Sequence, residues 1–277
     1  MFNNQVLQPS EQSVGAEGRM NLDKNIGWCT HTHNIATGCL NKKLGICNVQ
    51  ACYAQQTAEN PYYRKAFPYG FEPHFYEERI YQIRKLKKPA IIFMDSMSDI
   101  FGSWWTDEQI LKTLHIMDSF RGVHWHKYIV LTKNPVRMAF TLKDYMNDEG
   151  ADRLKNVYFG VSVSGADNMI ERDRLVFLKK IKGMRYKTVI SMEPLLHDPE
   201  NLIFHADGIT WADWVIVGGQ TKPTLEPPEE WVLRVAGATC PGQPLFIKKN
   251  CGGEYGNHFH DFPEDLLPIA QSWGKAP

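Results

Sequence analysis

The chain has 277 residues, with 31 Lys and Arg balanced by 31 Asp and Glu, ten His, six Cys, eight Trp and 43% apolar residues. That length suits one good-sized domain or two small ones, and the apolar share beside only 22% charged residues excludes a disordered chain. A formal net charge of zero excludes the broad positive field of a non-specific DNA binder, though such a sum hides any local basic groove.

Residues 1–24 read as a polar N-terminal extension, rich in Gln, Asn and Ser, without the basic start and apolar run of a secretory signal. No later window approaches the roughly 18–20 consecutive apolar residues that cross a bilayer, so a soluble, cytoplasmic protein with no membrane partner is expected. From residue 25 to 277 neither a linker nor an internal repeat divides the chain, and a single domain is expected. Short β-branched runs at 89–95 (PAIIFMD), 127–132 (KYIVLT), 156–163 (NVYFGVSV), 187–192 (KTVISM), 214–218 (WVIVG) and 244–248 (PLFIK) predict buried parallel strands. Helical patterns at 73–86, 106–120, 135–146, 166–180 and 228–238 fall between them, several opened by Pro, Thr or Asp. This β-then-α alternation predicts an α/β fold, either an open doubly wound sheet or a closed or partial (β/α) barrel.

In a barrel, chemistry gathers at the carboxyl ends of the strands. Those ends carry Asp95, Ser96, Ser98, Asp99, Thr132, Lys133, Ser162, Ser164, Glu193, Gln220, Lys248 and Lys249. Any single one of these could equally be a wet loop residue. The cysteines are more specific. Cys39, Cys47 and Cys52 share one loop, 39–52, ahead of a short helix beginning near Tyr53. Three thiolates can hold three irons of a [4Fe–4S] cluster and leave the fourth iron open, whereas structural zinc takes four protein ligands. Cys29, His31 and His33 lie just upstream and could complete a zinc site. Cys240 and Cys251 lack local partners and read as packing residues, and His124 and His126, ahead of the 127–132 strand, read as structural.

The series TGC…C…CYA, FMDSMSDIFG, YIVLTKNPVRM, YFGVSVS, ISMEPLL, WVIVGGQ and PLFIKKNCGG, spanning about residues 34–253, resembles a family of phage and prophage proteins with a three-cysteine motif. That family is grouped with the radical S-adenosylmethionine (SAM) enzymes, beside the spore photoproduct lyase branch. The resemblance implies a partial (β/α) barrel of the radical SAM type, with residues 33–38 (HNIATG) as first strand. It also implies a [4Fe–4S] cluster on Cys39, Cys47 and Cys52. Here seven residues separate Cys39 from Cys47 and four separate Cys47 from Cys52, a longer loop than the family's, but extra loop length costs little closure entropy.

The implied activity is reductive cleavage of SAM and hydrogen abstraction from a substrate. A reductase or other electron donor would serve as partner, the substrate would be nucleic acid or a nucleotide, and the host cytoplasm would be the location if the chain is phage-encoded. Ser96, Ser98 and Asp99 stand where such enzymes contact the methionine amino group or ribose. Ser162 and Ser164 could hydrogen-bond the ribose or carboxylate, and Gln220, after the Gly218–Gly219 pair, could reach adenine or a substrate amide. Glu193, aimed by Pro194, is the foremost non-cysteine candidate; its structural alternative is an ion pair with Lys133 or Lys248. Trp104, Trp105, Tyr53, Tyr62, Tyr63, Phe67 and Tyr69, beside Arg64 and Lys65, could form a stacking surface for a nucleobase or simply pack a lid. The alternative to an enzyme is a non-catalytic barrel, stabilised by zinc or a cluster, that binds nucleic acid or a partner protein.

Overall fold

Each of the six apolar runs becomes a strand, and each strand pairs in parallel with its neighbour. A computed structural model describes residues 21–22, 26–118, 123–150 and 152–276. In chain order these hold β1 (Asn21–Leu22), β2 (His31–His33), β3 (Ala36–Thr37), α1 (Tyr53–Glu59), β4 (His74–Phe75), β5 (Ile91–Met94), α2 (Asp107–Met117) and β6 (Lys127–Thr132). They continue with α3 (Pro135–Glu149), β7 (Val157–Ser162), α4 (Met169–Gly183), β8 (Lys187–Met192), α5 (Glu200–His205) and β9 (Trp214–Val217). The last elements are β10 (Gln220–Thr221), β11 (Thr224–Leu225), α6 (Glu229–Gly237), β12 (Leu245–Ile247), α7 (Tyr255–His258) and α8 (Leu267–Ser272). The main sheet runs β1-β2-β5-β6-β7-β8-β9-β12; its last seven strands are parallel and curl into a half-barrel, and β1 is an antiparallel edge.

The near-continuous apolar runs are explained by burial on both faces. Ile92, Met94, Tyr128, Val130, Phe159, Val161, Ile190, Met192, Val215 and Val217 pack outward against helical residues such as Leu114, Leu142, Leu175, Leu178 and Val235. The alternate residues Ile91, Ile129, Tyr158, Val189, Trp214, Ile216 and Phe246 face inward, where Trp28, Phe262, Leu266 and Ala270 fill the curl. The C-terminal segment is thus a plug. Its Asp265 is tied at the strand starts by Lys127 (2.7 Å), Lys187 (2.5 Å) and the Tyr158 hydroxyl (2.6 Å).

Three expectations change. The first barrel strand is His31–His33, not residues 33–38, because Ala36–Thr37 leaves the sheet to pair antiparallel with His74–Phe75. That second pairing, with the Tyr76 amide bonded to the Ile35 carbonyl at 2.8 Å, keeps the chain extended where a helix from residue 73 was expected. A 3₁₀ helix, Glu77–Lys85, follows instead. The polar extension also contributes an edge strand, since Asn21 and Leu22 pair with Thr32 and His31; its residues 1–20 and 23–24 lie outside the described residues. The second helix opens on a Thr106–Gln109 capping box as its sequence demands, but it ends at Met117, short of the expected residue 120, because Asp118 is extended; residues 119–120 lie outside the described residues.

Candidate functional site at the strand ends

The cysteine loop lies over the carboxyl ends of β5, β6 and β7, and its length is taken up locally. Residues 41–45 turn back on themselves: the amides of Ile46 and Cys47 both reach the Asn41 carbonyl, at 2.8 and 3.1 Å. The seven-residue spacer therefore returns Cys47 to the residue two places after Cys39. Cys52 then caps the start of α1. All three thiols are half-buried and free of disulfides. Burial first, and the nearby Asp99 carboxylate second, push the Cys39 thiol up to about 12, with Lys133 and Cys47 also within electrostatic reach.

Buried polar groups hold this loop to the barrel. Asp99, placed after β5, accepts from Asn41 Nδ2 (2.8 Å), Thr132 Oγ1 (2.6 Å), the Lys133 amide (2.8 Å), Asn134 Nδ2 (2.9 Å) and the Phe101 amide (3.2 Å). Asn134 also donates to Asn41 Oδ1 at 2.8 Å. From α4, the fully buried Arg174 donates to the carbonyls of Ile46 and Ser162 and pairs with Glu171. Glu171 in turn accepts from the Ser164 amide (2.8 Å) and hydroxyl (2.7 Å), and Asn48 of the loop donates to that same hydroxyl at 3.2 Å. Such a network is worth having only because every buried charge in it meets donors or an opposite charge.

The entry to the loop is fixed in the same manner. The Ser98 hydroxyl donates to the Gly38 carbonyl at 2.7 Å and the Ser96 hydroxyl to Asn34 Oδ1 at 3.1 Å. The Tyr53 hydroxyl donates to the Ser96 carbonyl, and the buried Asp95 carboxylate takes the Ala36 amide at 2.7 Å. Burial pushes Asp95 up to about 7.

Glu193 follows β8, the neighbour of β7, and lies within electrostatic reach of Tyr53. Its carboxylate pairs with Lys248 Nζ at 2.8 Å and accepts from Trp28 Nε1 at 2.9 Å, while Ser191 Oγ lies at 3.4 Å. The ion pair expected as its structural alternative is therefore present, with Lys248 and not Lys133. The glycines beside it serve the protein and not an open ligand face: a Cβ on Gly218 would stand 2.6 Å from Glu193 Oε1, and Gly219 is bracketed by Asn250, whose Oδ1 takes its amide at 3.1 Å. Gln220 is drawn away from the rim into the β10–β11 hairpin, where its amide donates to the Pro223 carbonyl at 3.0 Å.

A family model described as "Protein of unknown function (DUF5131)" matches residues 23–261, which carry every strand of the half-barrel and every residue of this rim. The chain belongs to that family. No curated protein and no solved structure matches it. Within this DUF5131 chain the strand-end residues fall into two groups: Ser96, Ser98, Asp99, Ser162 and Ser164 are bonded to, or beside groups bonded to, the cysteine loop, and Glu193, at the end of the next strand, is held instead by Lys248 and Trp28.

The three upstream residues named as further zinc ligands lie apart from the loop's thiols. Cys29 is buried in the filling of the curl, His31 packs edge-on against Trp273 with ring centroids 4.8 Å apart, and His33 is buried within electrostatic reach of Arg79. Among the described residues no three His, Cys, Asp or Glu side chains stand together as metal ligands, and that holds for Cys39, Cys47 and Cys52 as well. Trp105 is buried with its Nε1 on the Asp99 carbonyl at 2.9 Å, and Trp104 packs beside it, so this pair supports the loop and offers no stacking face. Arg174, Glu171, Asn41 and Asn134 escaped the sequence reading, because charged and amide residues in helices and loops ordinarily face water. Among the described residues no helix is long and apolar enough to cross a membrane.

Proposed function

We propose that this rim belongs to a radical SAM enzyme, with Cys39, Cys47 and Cys52 holding a [4Fe–4S] cluster above a half-barrel of the radical SAM type. The observation that carries the reading is the anchoring of the loop: a buried scaffold of Asp99, Arg174 and Glu171 grips its backbone and amide side chains while leaving three thiols unbridged. A loop kept only for packing would spend its thiols in the core, as Cys29 and Cys251 are spent. The donor set fits the cluster, three thiols and no fourth protein ligand leaving one iron for an exogenous group. When bound, the cluster would supply the electron that splits SAM into methionine and a hydrogen-abstracting radical.

The chain's own residues orient and shield. Asp99 holds the Asn41 side chain and Arg174 the Ile46 carbonyl, which fixes both ends of the turn between Cys39 and Cys47; the three thiols would close together only on binding the cluster. Glu193, with its Lys248 and Trp28 partners, offers a carboxylate held in place at the rim for a cationic group of the cosubstrate. Phe93 and Leu131, half-buried on the concave face, line an apolar floor that limits water. The test is anaerobic incubation of reconstituted protein with SAM and dithionite, followed by chromatography for 5′-deoxyadenosine. Formation that is lost when the three cysteines are replaced by Ala supports the reading; no product from iron-loaded protein refutes it.

A further inference from the structure

The segment that follows Cys52 sorts its aromatic residues by type. Phe67 and Phe71 turn inward and pack with Ala54, Ala58, Met97 and Cys52. The tyrosines do the reverse: Tyr62 is 85% exposed, Tyr69 55% and Tyr63 44%. Exposed aromatic faces gain the fold nothing, and a group of three on one short segment marks a contact surface. Arg64 and Lys65 lie between them, both exposed and neither in an ion pair among the described residues.

These rings are mounted rigidly. The Asn60 side chain caps a 3₁₀ turn, Pro61–Tyr63, by accepting the Tyr62 amide at 2.9 Å, and the amides of Phe67 and Gly70 close successive turns at 3.0 Å. Tyr69 stands at the outer end of a column of rings. It stacks on His74 with centroids 3.9 Å apart and planes 18° apart, and His74 meets the buried Tyr76 at 4.4 Å. The Arg79 guanidinium lies 3.5 Å from the Tyr76 ring centre and closes the inner end. The column abuts the cysteine loop: His74 pairs with Thr37, two residues before Cys39, and a side chain at Gly38 would collide with the Glu72 backbone.

A ring stacked on one side and exposed on the other, as Tyr69 is on His74, can take a base on its open face, and unpaired cations beside it suit a phosphate backbone. Local charge agrees. Residues 39–72 carry Lys42, Lys43, Arg64 and Lys65 against Glu59 and Glu72 alone, in a chain whose net charge is zero. We propose that Tyr62, Tyr63, Tyr69, Arg64 and Lys65 bind a single-stranded nucleic acid beside loop 39–52, bases on the tyrosines and phosphates on the cations. This rests on the reading above only in making the strand that enzyme's substrate; the binding itself does not depend on it.

The test is fluorescence anisotropy of the full chain with labelled mixed-sequence single strands, DNA in one arm and RNA in the other, against a duplex of equal length. Either single strand should bind more tightly than the duplex, with affinity falling as salt rises at a logarithmic slope of about −1.4 if two phosphates are met. Tyr62→Ala with Tyr69→Ala, and separately Arg64→Ala with Lys65→Ala, should each weaken binding roughly tenfold or more, whereas Tyr69→Phe should retain it. An unchanged thermal midpoint shows that these exposed positions leave the fold intact. No binding of either strand at low salt, a duplex bound as well as the single strands, or variants that bind like the parent would overturn the proposal. Anisotropy reads association with or without iron, so protein that binds strands but holds no cluster would refute the enzyme reading and leave this one standing.

Discussion

Arg174, deep in α4, donates to the carbonyl of Ile46, the residue immediately before Cys47 and 128 positions away in sequence. The same guanidinium donates to the Ser162 carbonyl at 3.0 Å at the end of β7 and pairs with the buried Glu171. One cation thus welds the cysteine loop to a strand end and to the helix behind it. Burial lowers the pKa of this guanidinium, but an arginine stays charged at any pH the protein meets.

Arg174→Met should therefore leave Glu171 buried without its cation and free the loop, costing about 3 kcal/mol or more in a urea melt. Hydrogen exchange at the amides of Ile46 and Cys47 should accelerate in the variant. An unchanged melt with unchanged exchange would mean that the loop is held elsewhere.

Glu193 and Gly218 test the rim at the ends of β8 and β9. Glu193→Gln keeps the shape and the acceptor for Trp28 but removes the charge facing Lys248. With both partners only partly buried, the loss of stability should stay near 1 kcal/mol while SAM cleavage falls steeply. Gly218→Ala should displace the same carboxylate by steric contact and lower cleavage with the charge retained. A large loss of stability with normal cleavage would assign Glu193 a structural role alone.

Asp265 gives a pH signature unconnected with the cysteines. Burial raises its pKa, but hydrogen bonds from Lys127, Lys187 and Tyr158 outweigh this and bring the carboxyl down from 3.8 to about 2. A group depressed in the folded state contributes stability above its unfolded value and loses it as pH falls through the folded one. The urea midpoint should fall between about pH 4 and pH 2 through this group, and Asp265→Asn should be less stable at neutral pH with a shallower acid slope. Parallel acid profiles for the two proteins would contradict the plug contact.

Thiol reactivity separates the cysteines in metal-free protein. At pH 8 the exposed Cys240 should react with iodoacetamide first. Cys39 and Cys251, both pushed up to about 12 chiefly by burial, should lag by at least an order of magnitude, as mass spectrometry of timed samples would show. Rapid alkylation of Cys39 would contradict its placement beside Asp99.

The strands were legible because parallel strands buried on both faces read as unbroken apolar runs, and Lys127–Thr132 and Lys187–Met192 sit where their sequences put them. The first strand was not. His31–His33 is short and polar, and the more apolar Ile35 and Ala36 beside it belong to a separate pairing with His74–Phe75. The cysteine loop was visible through spacing within a few residues, but its support depends on contacts such as Asn41 with Asn134, 93 positions apart, and Glu193 is likewise held by Trp28, 165 positions away. No local pattern marks a buried Arg174 and Glu171 in a helix whose remaining charges are not buried. The tyrosines of the 60–72 segment were visible as a cluster, and only their exposure distinguished a contact surface from a lid.

The most direct test of the central claim is the iron, sulfide and zinc content of protein purified without oxygen, with its visible spectrum, beside a variant carrying Ala at positions 39, 47 and 52. About four irons and four sulfides per chain, with a visible spectrum to match, are expected, all lost in the variant. About one zinc per chain, or no metal after anaerobic reconstitution, would contradict it.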